Sequence, residues 1–277
     1  MRLATIRTNS GHRVVRVDGD TAVEVDPAHG ADVGELLAHE DWREIAAAAD
    51  GPQHAWADLD LAPLVPTPGK VVCVGLNYRT HILEMGRDLP EYPTLFAKFA
   101  DTLTGPNDDI EAPEEDEQLD WEAELTIVIG TEVRHADETS AAAAIAGFTV
   151  ANDISMRSFQ FRTKEWLQGK MWERSTPLGP VLVTGDEWKP SGRIWTTVNG
   201  EKMQEAATDD LVHGPAALVA YVSTITTLRP GDIILTGTPG GVGHARKPPR
   251  YLRAGDVVEV GIEGIGELRN RVVNAGR

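Results

Sequence analysis

Residues 120–130, Asp-Trp-Glu-Ala-Glu-Leu-Thr-Ile-Val-Ile-Gly, alternate as an extended strand does, with Trp121, Ala123, Leu125, Ile127 and Ile129 on one side. Glu122 and Glu124 then share the other side. Two carboxylates at i and i+2 stand roughly 7 Å apart by the rise per strand residue, and near pH 7 they repel each other unless a positive charge lies between them. A hard divalent cation would satisfy the pair. So would water alone, if the strand lies at an edge or turns a polar face to solvent.

Charge narrows the choice of partner. The chain has 277 residues, with 26 Lys+Arg against 43 Asp+Glu and a formal charge of -17, a field that repels phosphate backbones and anionic lipid. Nucleic acid and membrane are therefore not expected partners. An anionic substrate needs a local source of positive charge, which a bound metal and a few Lys or Arg could supply. The single Cys73 lies in the apolar run Val71-Val72-Cys73-Val74 and reads as a small buried hydrophobe in a reducing compartment. The segment Met1–Thr8 has no continuous apolar stretch, and no uncharged apolar run approaches the roughly 18 residues that span a membrane. A cytoplasmic enzyme is the expectation.

Residues 1–69 read as a small N-terminal unit. Short alternating segments, Val14 to Val17 and Ala22 to Val25, precede an Ala-rich helical piece from Asp41 to about Ala49 and the Pro-rich linker Pro63-Leu64-Val65-Pro66-Thr67-Pro68-Gly69. A larger catalytic unit, 70–277, is expected to follow. Its β-type runs are Val71 to Val74, Leu125 to Ile129, Phe148 to Ala151, Val181 to Val183, Ile194 to Val198, Ile233 to Thr236 and Val257 to Ile262. Helices are expected at Asp137 to Ala146, Ser155 to about Leu167, and about Pro215 to Thr226. Regular strand–helix alternation is missing, which points to a β-rich α+β fold, a mixed β-roll or distorted barrel, and away from a doubly wound sheet.

Several residues could join the two glutamates. Asp153 follows the run Gly147–Asn152, and pairing of that run near the glutamate strand would bring three carboxylates onto one octahedral ion. Alone, Asp153 reads as a helix N-cap or turn residue. His81 and Glu84 are three apart, so on a helix the carboxylate could fix the imidazole tautomer and raise its basicity; alone they are a surface pair. Lys170, between Gly169 and the rigid Pro177-Leu178-Gly179-Pro180, is a candidate substrate-facing cation or a solvated lysine. Arg157 and Gln160 would share a helix face and could donate to a carboxylate. The loop Thr236-Gly237-Thr238-Pro239-Gly240-Gly241-Val242-Gly243 allows close backbone approach to a ligand but lacks the ending of a phosphate loop.

In order along the chain, Gly75–Glu84, Pro93–Lys98, Trp121–Gly130, Asn152–Arg157, Gly169-Lys170, Pro177–Pro180, Pro230-Gly231-Asp232 and Thr236–Pro239 resemble the fumarylacetoacetate hydrolase family. The resemblance runs from about residue 70 to the end. It implies a β-roll catalytic domain, a homodimer and a Mg2+ or Mn2+ ion, with Ca2+ as a substitute. By position, Glu122, Glu124 and Asp153 look like the metal ligands, His81 with Glu84 like the pair that activates water, and Lys170 like the cation that stabilises developing charge. Arg157, Gln160, Thr238, Gly237 and Tyr78 look like substrate contacts. The expected reaction is hydrolysis of a C–C bond in an acylpyruvate-type 2-oxo acid such as fumarylpyruvate. The alternative is oxaloacetate decarboxylation or isomerisation of an unsaturated 2-oxo diacid of the 2-hydroxyhepta-2,4-diene-1,7-dioate type at the same metal site, and a non-catalytic binding protein is the third reading. Two departures from the family pattern, Met171-Trp172-Glu173 after Lys170 and Glu205–His213 after Gln204, bear on substrate identity.

Overall fold

The computed structural model describes residues 1–84 and 86–276, without the side chain of Glu84. Its largest sheet has eleven strands. Hydrogen-bonded neighbours run in the order Gln53–Ala55, Thr21–Glu24, Gly11–Asp18, Arg2–Thr8, Thr176–Thr184, Ile145–Asn152, Ala123–Ile129, Ile233–Leu235, Val71–Gly75 and Thr94–Lys98. The short Leu103–Thr104 joins Thr176–Thr184 in parallel. A second sheet orders Glu201–Ala207, Arg193–Val198, Val257–Ile262, Gly266–Asn274 and Ile110–Ala112. Both paths are open, so the fold is a β-roll and not a closed barrel. Few helices interrupt it, and among the described residues none is long and apolar enough to cross a membrane.

Strand Ala123–Ile129 lies inside the larger sheet, between Ile145–Asn152 and Ile233–Leu235, and all seven of its residues are buried. Leu125 and Ile127 pack in one core with Val258, Val260 and Ile262 of the second sheet; Val128 belongs to a second core with Leu36 and Cys73. Neither side of the strand faces water, so the polar side is part of the interior. Cys73 is free, and burial pushes its thiol well above the ordinary range. The N-terminal residues extend the same sheet, because Arg2–Thr8 pairs antiparallel with Thr176–Thr184 through Arg2↔Val183 and Leu3↔Leu182.

Helix Pro215–Ile225 forms as expected, with Pro in its first turn, where a missing N–H costs no hydrogen bond. Helix Glu138–Ala143 is capped by the Asp137 carboxylate, which accepts from Ser140 N at 2.7 Å, but it ends early because Ile145 enters a strand. The helix expected from Ser155 to Leu167 does not form. Ser155–Met156 instead pairs with Leu119–Asp120, only Arg157–Gln160 is α-helical, and Trp166–Gly169 is a 3-10 turn. A strand partner for residues 155 and 156 overrides the local helical pattern. Gly266–Asn274 is a strand that the expected runs did not include, although Leu268, Asn270 and Val272 are buried in alternation with exposed charges.

Candidate metal centre and active site

The register across two strands assembles the acidic cluster. Ala123 faces Asn152 and Glu124 faces Ala151, so Asp153, one residue past the strand end, lies beside Glu122 and its N–H donates to the Glu122 carbonyl at 2.9 Å. Asn152 Oδ1 accepts from Glu122 N at 3.0 Å. Glu122, Glu124 and Asp153 are all buried, and one carboxylate oxygen from each lies within 4.8 Å of the others. Three hard oxygen donors, with none from His or Cys, suit a divalent ion of the Mg2+, Mn2+ or Ca2+ kind. Burial, followed by the charges of Asp153 and Glu122, holds the Glu124 carboxyl well above its usual range. A cation among the three would remove that repulsion, so the residues fit the ion that the resemblance implies.

Basic groups already balance much of this charge. Lys170 Nζ donates to Glu122 Oε2 at 2.7 Å and to Asp153 Oδ2 at 2.8 Å. Lys98 Nζ donates to Asp153 Oδ1 at 2.5 Å. Burial alone would lower the Lys170 ammonium, but Asp153 and Glu122 outweigh it and keep it charged. Burial alone would raise Asp153, and here the two lysines win and hold it below the ordinary range. Arg157 is also buried, with Nη2 2.7 Å from Glu122 Oε1, Nε donating to Asp120 Oδ2 at 2.8 Å and Nη1 donating to Gln160 Oε1 at 2.8 Å. Arg157 and Gln160 are thus engaged with each other, and Arg157 with the acids.

A loop covering residues 236–246 is fastened to the glutamate strand at two points. Gly237 N donates to Glu124 Oε2 at 2.7 Å; at its φ of 100° a side chain would be strained, and a Cβ would come within 2.9 Å of the Val74 carbonyl. Further on, Asp120 accepts from Gly243 N at 2.7 Å and from His244 N at 2.9 Å. Between these points Gln204 Nε2 donates to Thr238 Oγ1 at 2.8 Å and to the Pro239 carbonyl at 2.9 Å, while its Oε1 accepts from Ala123 N at 3.0 Å. The loop walls a cavity of about 320 Å³ together with His81 and Tyr78. Gly240 lies so close to His81 that an added Cβ would come within 2.8 Å of Nδ1. Tyr78 is buried and its hydroxyl has no hydrogen-bond partner among the described residues; burial, then the charges of Glu124, Asp210 and Asp209, push its phenol upward.

The structure therefore brings Glu122, Glu124, Asp153, Lys170, Arg157, Gln160 and Gly237 into one network, with Tyr78 and His81 on the wall of the cavity and Thr238 held by Gln204 in the loop beside it. The side chain of Glu84 lies outside the described residues, and with it the expected His81–Glu84 contact. Lys98, Asp120 and Gln204 take part in this network without belonging to the residues that the sequence pattern marks as a site. A charged residue closing the strand Thr94–Lys98, and an acid beginning the glutamate alternation, were the available signals for the first two. Gln204 carried none, because its role is to join two segments that lie far apart in the chain.

The fold and site define a class: a β-roll protein with a buried cluster of three carboxylates compensated by lysines and flanked by a glycine-rich loop. The sequence profile of the fumarylacetoacetate (FAA) hydrolase C-terminal family matches residues 70–273, and the chain belongs to that family. Oxaloacetate tautomerase FAHD2B, mitochondrial, from Homo sapiens is 44% identical over 232 residues, which cover 82% of this chain and 74% of that protein. The solved fumarylacetoacetate hydrolase from psychrophilic Exiguobacterium antarcticum superimposes with a TM-score of 0.89 at 33% identity, covering 99% of this chain and all of that one. The 5-carboxymethyl-2-hydroxymuconate delta-isomerase of Mycobacterium smegmatis gives 0.83 at 34% identity, with both chains covered fully.

Proposed function

We propose that this chain is an enzyme that shifts a proton within a 2-oxo diacid of the oxaloacetate type, interconverting keto and enol forms. The observation that carries the reading is the buried triad Glu122, Glu124 and Asp153, in which Lys170 bridges Glu122 and Asp153. A similar tautomerase and a similar delta-isomerase support it over acylpyruvate hydrolysis, because tautomerisation and double-bond isomerisation cleave no C–C bond. The expectation of fumarylpyruvate cleavage accordingly gives way to the diacid alternative.

A divalent ion, Mg2+ or Mn2+, held by the triad would supply Lewis-acid stabilisation of negative charge on the 2-oxo group. Lys170 has three N–H donors and directs two at Glu122 and Asp153, which leaves one for a substrate oxygen. Imidazole is suited to exchanging protons near neutral pH, and in this reading His81, which lines the cavity, takes one from carbon 3. The C–H electron pair then forms the C2–C3 double bond, and the carbonyl pair moves to oxygen, which takes a proton from solvent. Thr238, held by Gln204, fixes the other side of the substrate.

The test is to add metal-loaded protein to freshly dissolved enol-oxaloacetate and follow the ultraviolet enol absorbance, with pyruvate release monitored in parallel. Loss of the enol signal faster than buffer, without pyruvate, is expected. Pyruvate release at the same rate would make the enzyme a decarboxylase, and cleavage of acetylpyruvate or fumarylpyruvate with an unchanged enol signal would restore the hydrolase.

A further inference from the structure

We infer that Arg246 is the residue that selects a dicarboxylate, by receiving the substrate carboxylate that lies away from the metal centre. This deepens the proposed function and rests on it.

Arg246 is half-buried and lines the same cavity as His81, Tyr78 and Gly240. Among the described residues its guanidinium makes no ion pair, although the chain carries 43 Asp+Glu. The two acids on the cavity wall are already engaged. Glu205 pairs with Lys202 at 2.9 Å and with Arg193 at 3.5 Å, and Asp210 Oδ2 accepts from Thr80 N at 3.0 Å. Nearby Arg250 is likewise paired, with Glu201 at 2.5 Å. A half-buried arginine left open inside a cavity suits a ligand carboxylate, which its planar fork can bind through two parallel N–H donors.

Backbone hydrogen bonds fix the loop position that carries Arg246. Arg246 N donates to the Gly243 carbonyl at 3.2 Å, and Gly243 N donates to Asp120. Asp120 is two residues from Glu122 and shares Arg157 with it. The loop backbone at Arg246 is thus tied to the segment that carries Glu122 and Glu124 of the triad. In a chain of charge -17, a dianion needs such a local attraction at the end distant from the ion.

The experiment measures binding of 2-oxoglutarate, a dicarboxylate, and 2-oxobutanoate, a monocarboxylate, to the Mn2+-loaded full chain by calorimetry. It also measures KM and kcat for oxaloacetate. The unsubstituted protein is expected to prefer the dicarboxylate. Arg246→Gln is expected to weaken 2-oxoglutarate about tenfold or more, the scale of one lost charge-assisted pair, and to raise KM for oxaloacetate by more than it lowers kcat. Binding of 2-oxobutanoate and of Mn2+ should be unchanged, and Arg246→Lys should recover part of the dicarboxylate preference. Equal weakening of both acids, or no preference in the unsubstituted protein, overturns the role of Arg246 while leaving the 2-oxo acid reading in place. If neither acid binds the loaded protein, that reading falls and the inference falls with it.

Discussion

Lys98 Nζ lies 2.5 Å from Asp153 Oδ1, with both side chains fully buried. The other oxygen of the same carboxylate receives Lys170, so Asp153 is held between two ammonium groups. An ion that binds the triad must share Asp153 with them. The metal-free and metal-loaded states therefore compete for one set of charges, and that competition can be measured.

Replacing Lys98 by Met removes one of the two cations on Asp153 and leaves a buried charge undercompensated. Breaking a buried pair costs on the order of 3–5 kcal/mol; with Lys170 still in place the lower end is expected. In chelator the melting temperature of Lys98→Met should fall by about 5–10 °C. Saturating Mn2+ should recover part of the loss, so the ion-induced shift becomes larger than in the unsubstituted protein. Scanning calorimetry with and without Mn2+ decides it, and identical melting in chelator would show that Lys98 does not balance the cluster.

Glu124 presents the opposite case. Its folded-state carboxyl titrates above the usual 4.5, through burial and then repulsion from Asp153 and Glu122. A raised acid destabilises the fold once pH exceeds the unfolded value, and the effect grows until the folded group ionises. Glu124→Gln keeps an acceptor for Gly237 N and removes the charge. At neutral pH in chelator it should melt about 3 °C higher or more, corresponding to about 1 kcal/mol, while the stabilisation by divalent ion disappears along with turnover. A variant that melts lower in chelator and still responds to Mn2+ would contradict this assignment.

Gly240 borders His81 so closely that Gly240→Ala must move either the imidazole or the loop. The substitution should lower kcat about 10- to 100-fold, the scale expected when a reacting group is misplaced by about 1 Å. Stability should change little, because Gly240 is only half-buried. Steady-state kinetics together with a melting curve separate the two effects; full activity would free His81 from any need for that position.

A pH effect is expected at a carboxylate outside the acidic triad. Asp108 accepts from Arg7 Nη2 at 2.6 Å, Thr104 Oγ1 at 2.7 Å and Gly105 N at 2.7 Å. Burial alone would raise its carboxyl, but these donors, Arg7 first, hold it below 3.8. A depressed acid stabilises the fold above its unfolded value, and that contribution is lost as pH falls through the folded value. Asp108→Asn should therefore be less stable near pH 6 and should lose less stability on acidification below about pH 4. Urea midpoints measured from pH 2 to 6 check the slope, and parallel curves would remove Asp108 from the acid limb.

Much of this protein was legible in local pattern. The alternation around Glu122 and Glu124 marked a strand, proline at 215 marked a helix start, and the ordered motifs marked the family together with the three acids. These signals are local because side-chain period and turn chemistry depend on neighbours along the chain. Pairing decided the rest. Asp153 meets Glu122 only because of the register between Ala123–Ile129 and Ile145–Asn152, and Ser155–Met156 leaves a helical pattern only because Leu119–Asp120 offers it a partner. The positions of Lys98 on Asp153, Gln204 on Thr238 and Asp120 on the loop are likewise contacts between distant segments. Charge compensation and hydrogen-bond satisfaction belong to neighbours in space, which no single stretch of sequence contains; only the assembled tertiary structure could turn a row of acids into a balanced centre.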